Sequence, residues 1–141
     1  MTSYASRYEH VAPATVRFWA MIDSGVLALA TPWTATLFLG ALYWFNGLLG
    51  YESTAPAFGT MQMFFVNLSG VMVGVWVVAR LLHPVGMLAL VDGVGRLLVA
   101  LLLIAYLLAA DAPPVLWFFV FTEAVGAIPQ LRACLVPRRE G

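Results

Sequence analysis

Four polar side chains in the second half of the chain lie in segments that are otherwise apolar. Asp92 and Arg96 are one helical turn apart. Glu123 and Gln130 are two turns apart, and side chains at these spacings share one face of an α-helix. A carboxylate beside a guanidinium in an apolar setting can form an ion pair, anchor a ligand or transfer a proton. The sequence therefore predicts a polar site on two helices, centred on Glu123.

Three hypotheses for Glu123 and Arg96 stay open at the level of sequence. In the first, they form a buried ion pair that fixes the register of two helices. In the second, Glu123 faces a cavity, where it acts as a general acid or base or orients the polar end of a lipophilic ligand. In the third, polar side chains form a column that conducts protons or ions, but too few carboxylates lie in series to favour it.

The composition indicates whether lipid or water surrounds these side chains. Of the 141 residues, 62% are hydrophobic and only 10% are charged, and the mean hydropathy is +0.91. Soluble domains are about 45–50% apolar and about 25% charged, so the sequence predicts an integral membrane protein. Basic and acidic residues are equal in number, and we expect no nucleic-acid partner. The single cysteine and two histidines show no metal-site spacing.

Four apolar segments approach the roughly 20 residues that cross a bilayer: 33–50, 61–82, 88–110 and 114–133. The connections between them are rich in Pro, Gly and Asp, which is typical of turns. The predicted fold class is therefore all-α: a four-transmembrane-helix bundle with an additional N-terminal interfacial helix. Residues 1–141 would form a single integral membrane domain.

The arginines predict the orientation of the bundle. All seven lie in the N-terminal segment, near the short second connection or in the C-terminal tail, and the sequence contains no lysine. Cytoplasmic segments are enriched in basic residues, so four spans with both termini in the cytoplasm satisfy this rule without exception.

Residues 13–30 are apolar enough to be a fifth span, but a fifth span would move the N-terminal arginines to the other side. Thr31 and Pro32 are placed to begin a new helix, as N-cap and first helical residue. We therefore predict that 13–30 form a helix in the cytoplasmic interface. Asp23 would then be a solvated carboxylate at the level of the lipid headgroups.

On each predicted span, small and polar residues fall on one face of the helix, which we call its stripe. Tyr43 lies among glycines on the first span, and Asn67 precedes a GxxxG pair, Gly70 and Gly74, on the second. Small residues allow close helix approach, and polar groups avoid lipid. We expect these stripes to meet inside the bundle.

Depth brings Glu123 and Arg96 within reach of each other. At about 1.5 Å per residue, Glu123 lies roughly 14 Å below the outer end of its helix and Arg96 roughly 21 Å below the same surface. An arginine side chain is long enough to close this gap.

The last three predicted spans resemble a known group of proteins. They contain the runs FFVNLSGVMVGVWVVARLLHP, DGVGRLLVALLLIAY and PPVLWFFVFTEAVGAIPQL. This pattern resembles that of small bacterial four-helix membrane proteins that are loosely DoxX-like, and the matching residues are Asn67, Trp76, Arg80, Asp92, Arg96, Glu123 and Gln130. The resemblance covers the second half of the chain, and it implies a multi-pass protein of the bacterial inner membrane.

The function that we predict is binding of a lipophilic small molecule at this intramembrane polar cluster, extending to acid/base isomerisation or cyclisation. Glu123 would be the acid, base or anchor, with Arg96 as its electrostatic partner. The other predicted site residues are Asp92 for catalysis and Asn67, Gln130, Tyr43 and Trp76 for ligand binding. The expected partners are membrane lipid and the lipophilic molecule, with no cofactor and no metal. The alternative is a non-catalytic accessory subunit of a larger membrane complex, and a homo-oligomer stays open.

Overall fold

Helices make up about 80% of residues 8–135, the part of the chain that this computed structural model describes. They are α1 (Pro13–Asp23), α2 (Pro32–Leu48), α3 (Thr60–Leu82), α4 (Gly86–Ala109) and α5 (Leu116–Leu135). A 3₁₀ segment, Ser24–Ala30, continues α1. Residues 8–135 contain no β-strand, and the predicted all-α class is confirmed.

Three helices, α3, α4 and α5, are long and apolar enough to cross a membrane. They have 23, 24 and 20 residues, against the roughly 20 that a bilayer requires. The α2 helix has 17 residues. It meets the same criterion only together with residues 13–30, from which it is bent by 110°. The bounds of α2 to α5 agree with the four predicted segments to within two residues.

Large apolar side chains of the three long helices point mostly outward. Only 22–28% of their most apolar windows is buried, and residues such as Met72, Leu108 and Ile128 are more than half exposed. A soluble protein of this size would hide such surface. The outward apolar faces are compatible with helices that cross a membrane.

The sharp bend before α2 has the local cause that the sequence predicts. Thr31 has extended backbone angles, and its hydroxyl accepts a hydrogen bond from the backbone N–H of Thr34. Pro32 follows as the first helical residue, where its missing N–H leaves no unpaired donor. The predicted N-cap at Thr31 is confirmed.

Residues 13–30 pack deeply against the other helices. Val16 and Ala20 of α1 are fully buried, and α1 contacts α3, α4 and α5. The 3₁₀ segment lies along α3, where the backbone of Leu29 and Ala30 touches Gly70. The small residues of α3 therefore serve packing within this chain.

Asn46 joins three segments at the end of the bundle where α2 ends and α5 begins. It is 1% exposed. Its Nδ2 donates to the backbone oxygen of Glu52 at 2.8 Å, and its Oδ1 accepts from the backbone N–H of Val115 at 3.0 Å. One side chain thus ties the end of α2 to the following connection and to the start of α5.

Replacing Asn46 with alanine is expected to lower the free energy of unfolding by about 2 kcal/mol, because the buried N–H of Val115 loses its acceptor. Thermal unfolding in detergent measures the change. A matched control is Gln62→Ala, because Gln62 also bonds a backbone N–H, that of Gly59, but is exposed. We expect the control to cost about 0.5 kcal/mol. Equal losses in both variants would contradict the bridging role of Asn46.

Candidate functional site

Five ionisable side chains from four helices meet in the interior. They are Asp23 at the end of α1, Arg80 on α3, Asp92 and Arg96 on α4, and Glu123 on α5. We call these five residues the charged cluster. Because every long helix contributes to it, the cluster connects the α4–α5 pair to α1 and α3.

Four members of the cluster form a closed ring of alternating charge. Arg80 Nη2 donates to Asp23 Oδ2 at 2.6 Å, and Arg80 Nη1 lies 2.8 Å from Asp92 Oδ1. Arg96 Nε donates to Asp92 Oδ2 at 3.0 Å, and Arg96 Nη2 donates to the Asp23 carboxylate. Each guanidinium therefore contacts both aspartates, and the two positive charges balance the two negative ones.

Glu123 is the fifth member and lies outside this balanced ring. Its Oε2 accepts from Arg96 Nη1 at 3.1 Å, the only ion pair that it makes among residues 8–135. Its side chain is 22% exposed, whereas the ring side chains are 0–15% exposed. Glu123 is thus the least enclosed and least paired carboxylate of the cluster.

Two neutral side chains also donate hydrogen bonds to Asp92, a member of the ring. The indole Nε1 of Trp76 donates to Asp92 Oδ1 at 2.9 Å, and Gln130 Nε2 donates to Oδ2 at 2.7 Å. Buried carboxylates need such donors to offset the loss of water. Because both donors come from other helices, Asp92 fixes α3 and α5 against α4.

An indole ring also covers each guanidinium. The Trp19 ring centre lies 5.3 Å from Arg96 Cζ, and the Trp76 ring centre lies 5.5 Å from Arg80 Cζ. Both distances suit a cation–π interaction. Gly126 also lies against Arg96, and an added Cβ there would come 2.9 Å from Arg96 Cδ and Nη1. Glycine at this position leaves room for the guanidinium.

A cavity of about 410 Å³, open to the outside of the bundle, lies beside the cluster. Asp23, Asp92, Arg96 and Glu123 line it, together with Trp76. The rest of the wall is apolar or small: Val26, Val73, Val91, Gly95 and Val99. The wall thus combines charged groups with aliphatic side chains.

The structure brings most of the predicted site residues together. The contact between Glu123 and Arg96, inferred from depth along the helices, is confirmed. Asp92 contacts Arg96 within α4, and Gln130 and Trp76 contact Asp92. The two carboxylates, the arginine, the glutamine and the tryptophan are thus linked by direct contacts.

Two predicted ligand-binding residues lie elsewhere. Asn67 Nδ2 donates to the backbone oxygen of Leu29 at 2.7 Å and so supports the 3₁₀ segment. Tyr43 lines a second cavity, of about 370 Å³, beside Glu52 and Asp111 at the end of the bundle where α2 ends and α5 begins. Hydrogen bonds from the Thr54 N–H and hydroxyl hold the pKa of Glu52 below its ordinary value.

Three members of the site escaped the sequence prediction of site residues: Asp23, Arg80 and Trp19. The expectation that Asp23 is a solvated carboxylate is wrong, because its side chain is 15% exposed and contacts both arginines. A usable signal existed in the sequence. Trp19 and Asp23 are one helical turn apart in an apolar segment, the same pattern as Trp76 and Arg80.

Neither family models, curated protein sequences nor solved structures give a significant match to the chain. The geometry of the site is therefore the basis for its function. Among residues 8–135, no group of three His, Cys, Asp or Glu side chains is arranged to hold a metal ion. In the cluster, guanidinium groups occupy the space between the carboxylates.

Proposed function

We propose that this chain is an integral membrane protein that binds a lipophilic small molecule in the cavity beside Glu123. The cavity itself is the observation that carries the proposal. Its volume of about 410 Å³ falls in the range of about 300–1,000 Å³ that is usual for small-molecule sites. Such sites are mostly apolar with a few convergent polar groups, and this description fits the four valines and the charged groups of the cavity wall.

The membrane arrangement is part of the same proposal. Three spans are formed by α3, α4 and α5, α2 provides a fourth, and residues 13–30 lie at the cytoplasmic interface with Asp23 reaching the cluster. Both termini would be cytoplasmic, in the inner membrane of a bacterium, and the protein would be DoxX-like. The support is the distribution of the arginines and the helix lengths.

Acid/base isomerisation or cyclisation is the chemistry that the site would support. Glu123 is the carboxyl group that lines the cavity with the fewest partners, so it is the one placed to exchange a proton with a bound molecule. Arg96 would stabilise its charged form at 3.1 Å. The aspartates make two ion pairs each and are placed to orient Arg96.

The alternative, an accessory subunit, requires small-residue stripes that face outward toward a partner. Gly70 and Gly74 are buried under the 3₁₀ segment of the same chain. The GxxxG pair, the strongest signal in the sequence for docking on a partner, therefore already serves packing within this chain. This observation favours the ligand site.

Filling the cavity tests the proposal. Gly95 lines the cavity, and an added Cβ there meets no atom within 4 Å. Gly95→Leu is therefore expected to keep or raise stability, since leucine is the better helix former by about 1 kcal/mol. It should also lower by at least about tenfold the amount of lipophilic compound that copurifies, because the ligand and the leucine compete for the same space. Solvent extraction and mass spectrometry measure the bound compound.

The matched control is Gly40→Leu on α2. Gly40 is exposed, and its added Cβ also meets nothing within 4 Å, so the two variants make the same chemical change in different surroundings. Gly40→Leu should retain the compound at the parent level. Equal recovery from both variants, or no compound with either the parent or the control, would contradict the proposal.

A further inference from the structure

The charges of the cluster do not cancel. Three carboxyl groups, those of Asp23, Asp92 and Glu123, face two guanidinium groups. The charged groups that share the cavity wall with Glu123 are Arg96 and Asp92 from α4 and Asp23 from α1, and Arg80 from α3 contacts the two aspartates. With all five ionised, the interior carries one negative charge in excess.

The geometry places this excess negative charge at Glu123. The ring of Asp23, Arg80, Asp92 and Arg96 is balanced, with two contacts for each member. Glu123 has one contact, through Oε2, and it lies on the cavity wall. An uncompensated charge in a low-dielectric interior is costly, so an occupant that brings a positive charge to Glu123 is stabilised there.

We infer that the cavity takes a lipophilic cation, such as a long-chain amine in its ammonium form, with the ammonium group on Glu123 and the aliphatic chain along the valines of the cavity wall. This inference rests on the proposed function and names the chemical class of its ligand. The ammonium completes a three-to-three charge balance at the cavity wall. The Trp76 ring, which also lines the cavity, adds an aromatic face of the kind that attracts organic cations.

Two probes of equal chain length test the inference: octylammonium and octan-1-ol. Both donate a hydrogen bond, and only the first carries a charge. Each is titrated into the purified protein in detergent at neutral pH, and the rise in Tm with concentration gives the apparent affinity. Detergent takes up each probe equally from samples that differ by one side chain, so differences among variants report binding to the protein.

Three forms of the protein are compared: the parent, Glu123→Gln and Gly95→Leu. The glutamine variant removes the excess charge, keeps an acceptor for Arg96 and leaves the balanced ring untouched, so it is expected to fold. We expect the parent to bind octylammonium about tenfold more tightly than octan-1-ol, because hydrogen bonds to charged groups are the stronger ones. Glu123→Gln should reduce this ratio to about one, and Gly95→Leu should weaken binding of both probes.

The remaining outcomes overturn the inference in distinguishable ways. If the parent binds both probes equally and Gly95→Leu weakens both, the site is real but selects neutral molecules, and only the inference fails. If the preference for octylammonium persists in Glu123→Gln, the selecting charge is elsewhere and the inference again fails. If neither probe distinguishes the parent from Gly95→Leu, the inference fails together with the proposed function.

Discussion

Replacing Arg96 with methionine is expected to lower the free energy of unfolding by about 3–5 kcal/mol, which is typical when one partner of a buried ion pair is removed. Arg96 is the only residue that contacts all three carboxyl groups of the cluster. Without it, the three face Arg80 alone, and the excess negative charge rises from one to two. Thermal or denaturant unfolding in detergent measures the loss.

The control for this variant is Arg132→Met on α5. Arg132 is exposed, so the same change of side chain is expected to cost less than about 0.5 kcal/mol. The control separates loss of the buried contacts from loss of one basic residue. Similar losses in the two variants would show that the ring of charges does not stabilise the fold.

A second change on the same background tests the charge count. Adding Glu123→Gln to Arg96→Met returns the excess charge from two to one, so the double variant is expected to be more stable than Arg96→Met alone by about 1–2 kcal/mol. If the losses in free energy of unfolding of the two substitutions simply add, or if the double variant loses more than their sum, Glu123 is held in place by packing and not by charge.

The sequence predicted the helices well because their signal is local. Each of α2 to α5 is a run of apolar residues followed within two residues by Pro, Gly or Asp, and α3, α4 and α5 have the roughly 20 residues that a bilayer requires. The contact between Glu123 and Arg96 followed from the same rule, since depth along two helices is counted in residues. Polar residues on the long helices could therefore be assigned to one site.

Asp23 could not be placed in this way. Its position depends on how residues 13–30 pack, and a segment that bends by 110° from the next helix has no depth that can be counted along a straight axis. Tyr43 was assigned from the stripe of α2 alone, and it lines a different cavity from the one beside the cluster. A residue can be assigned to a site only when both its helix face and its depth along the helix match those of the other residues of that site.

Gly70 is the position where the packing of residues 13–30 can be tested directly. We expect Gly70→Ala to lower the free energy of unfolding by about 3 kcal/mol, the upper end of the usual cost of overpacking. An alanine Cβ would overlap the backbone of Leu29 and Ala30, with Ala30 Cα at 2.9 Å. Backbone of a packed segment cannot rotate away as a side-chain tip can, so the whole 3₁₀ segment must shift.

Two glycines provide graded controls for Gly70→Ala. At Gly74, one turn along α3, the added Cβ meets Leu27 Cδ2 at 2.5 Å, the end of a flexible side chain that can move. Gly74→Ala should therefore cost about 1 kcal/mol or less. At Gly40, nothing lies within 4 Å, and Gly40→Ala should stabilise by up to about 1 kcal/mol through helix propensity. All three variants add one methyl group. At Gly70 it meets backbone, at Gly74 the tip of a side chain and at Gly40 open space.

The consequence of Gly70→Ala should extend to the charged cluster. Asp23 directly precedes the 3₁₀ segment, so a shift of that segment pulls its carboxylate from Arg80 and Arg96. We expect Gly70→Ala to weaken binding of the octylammonium probe along with stability, whereas Gly74→Ala should leave binding at the parent level. Loss of stability with unchanged binding would show that the position of Asp23 is set by α1 alone, independently of the segment that follows it.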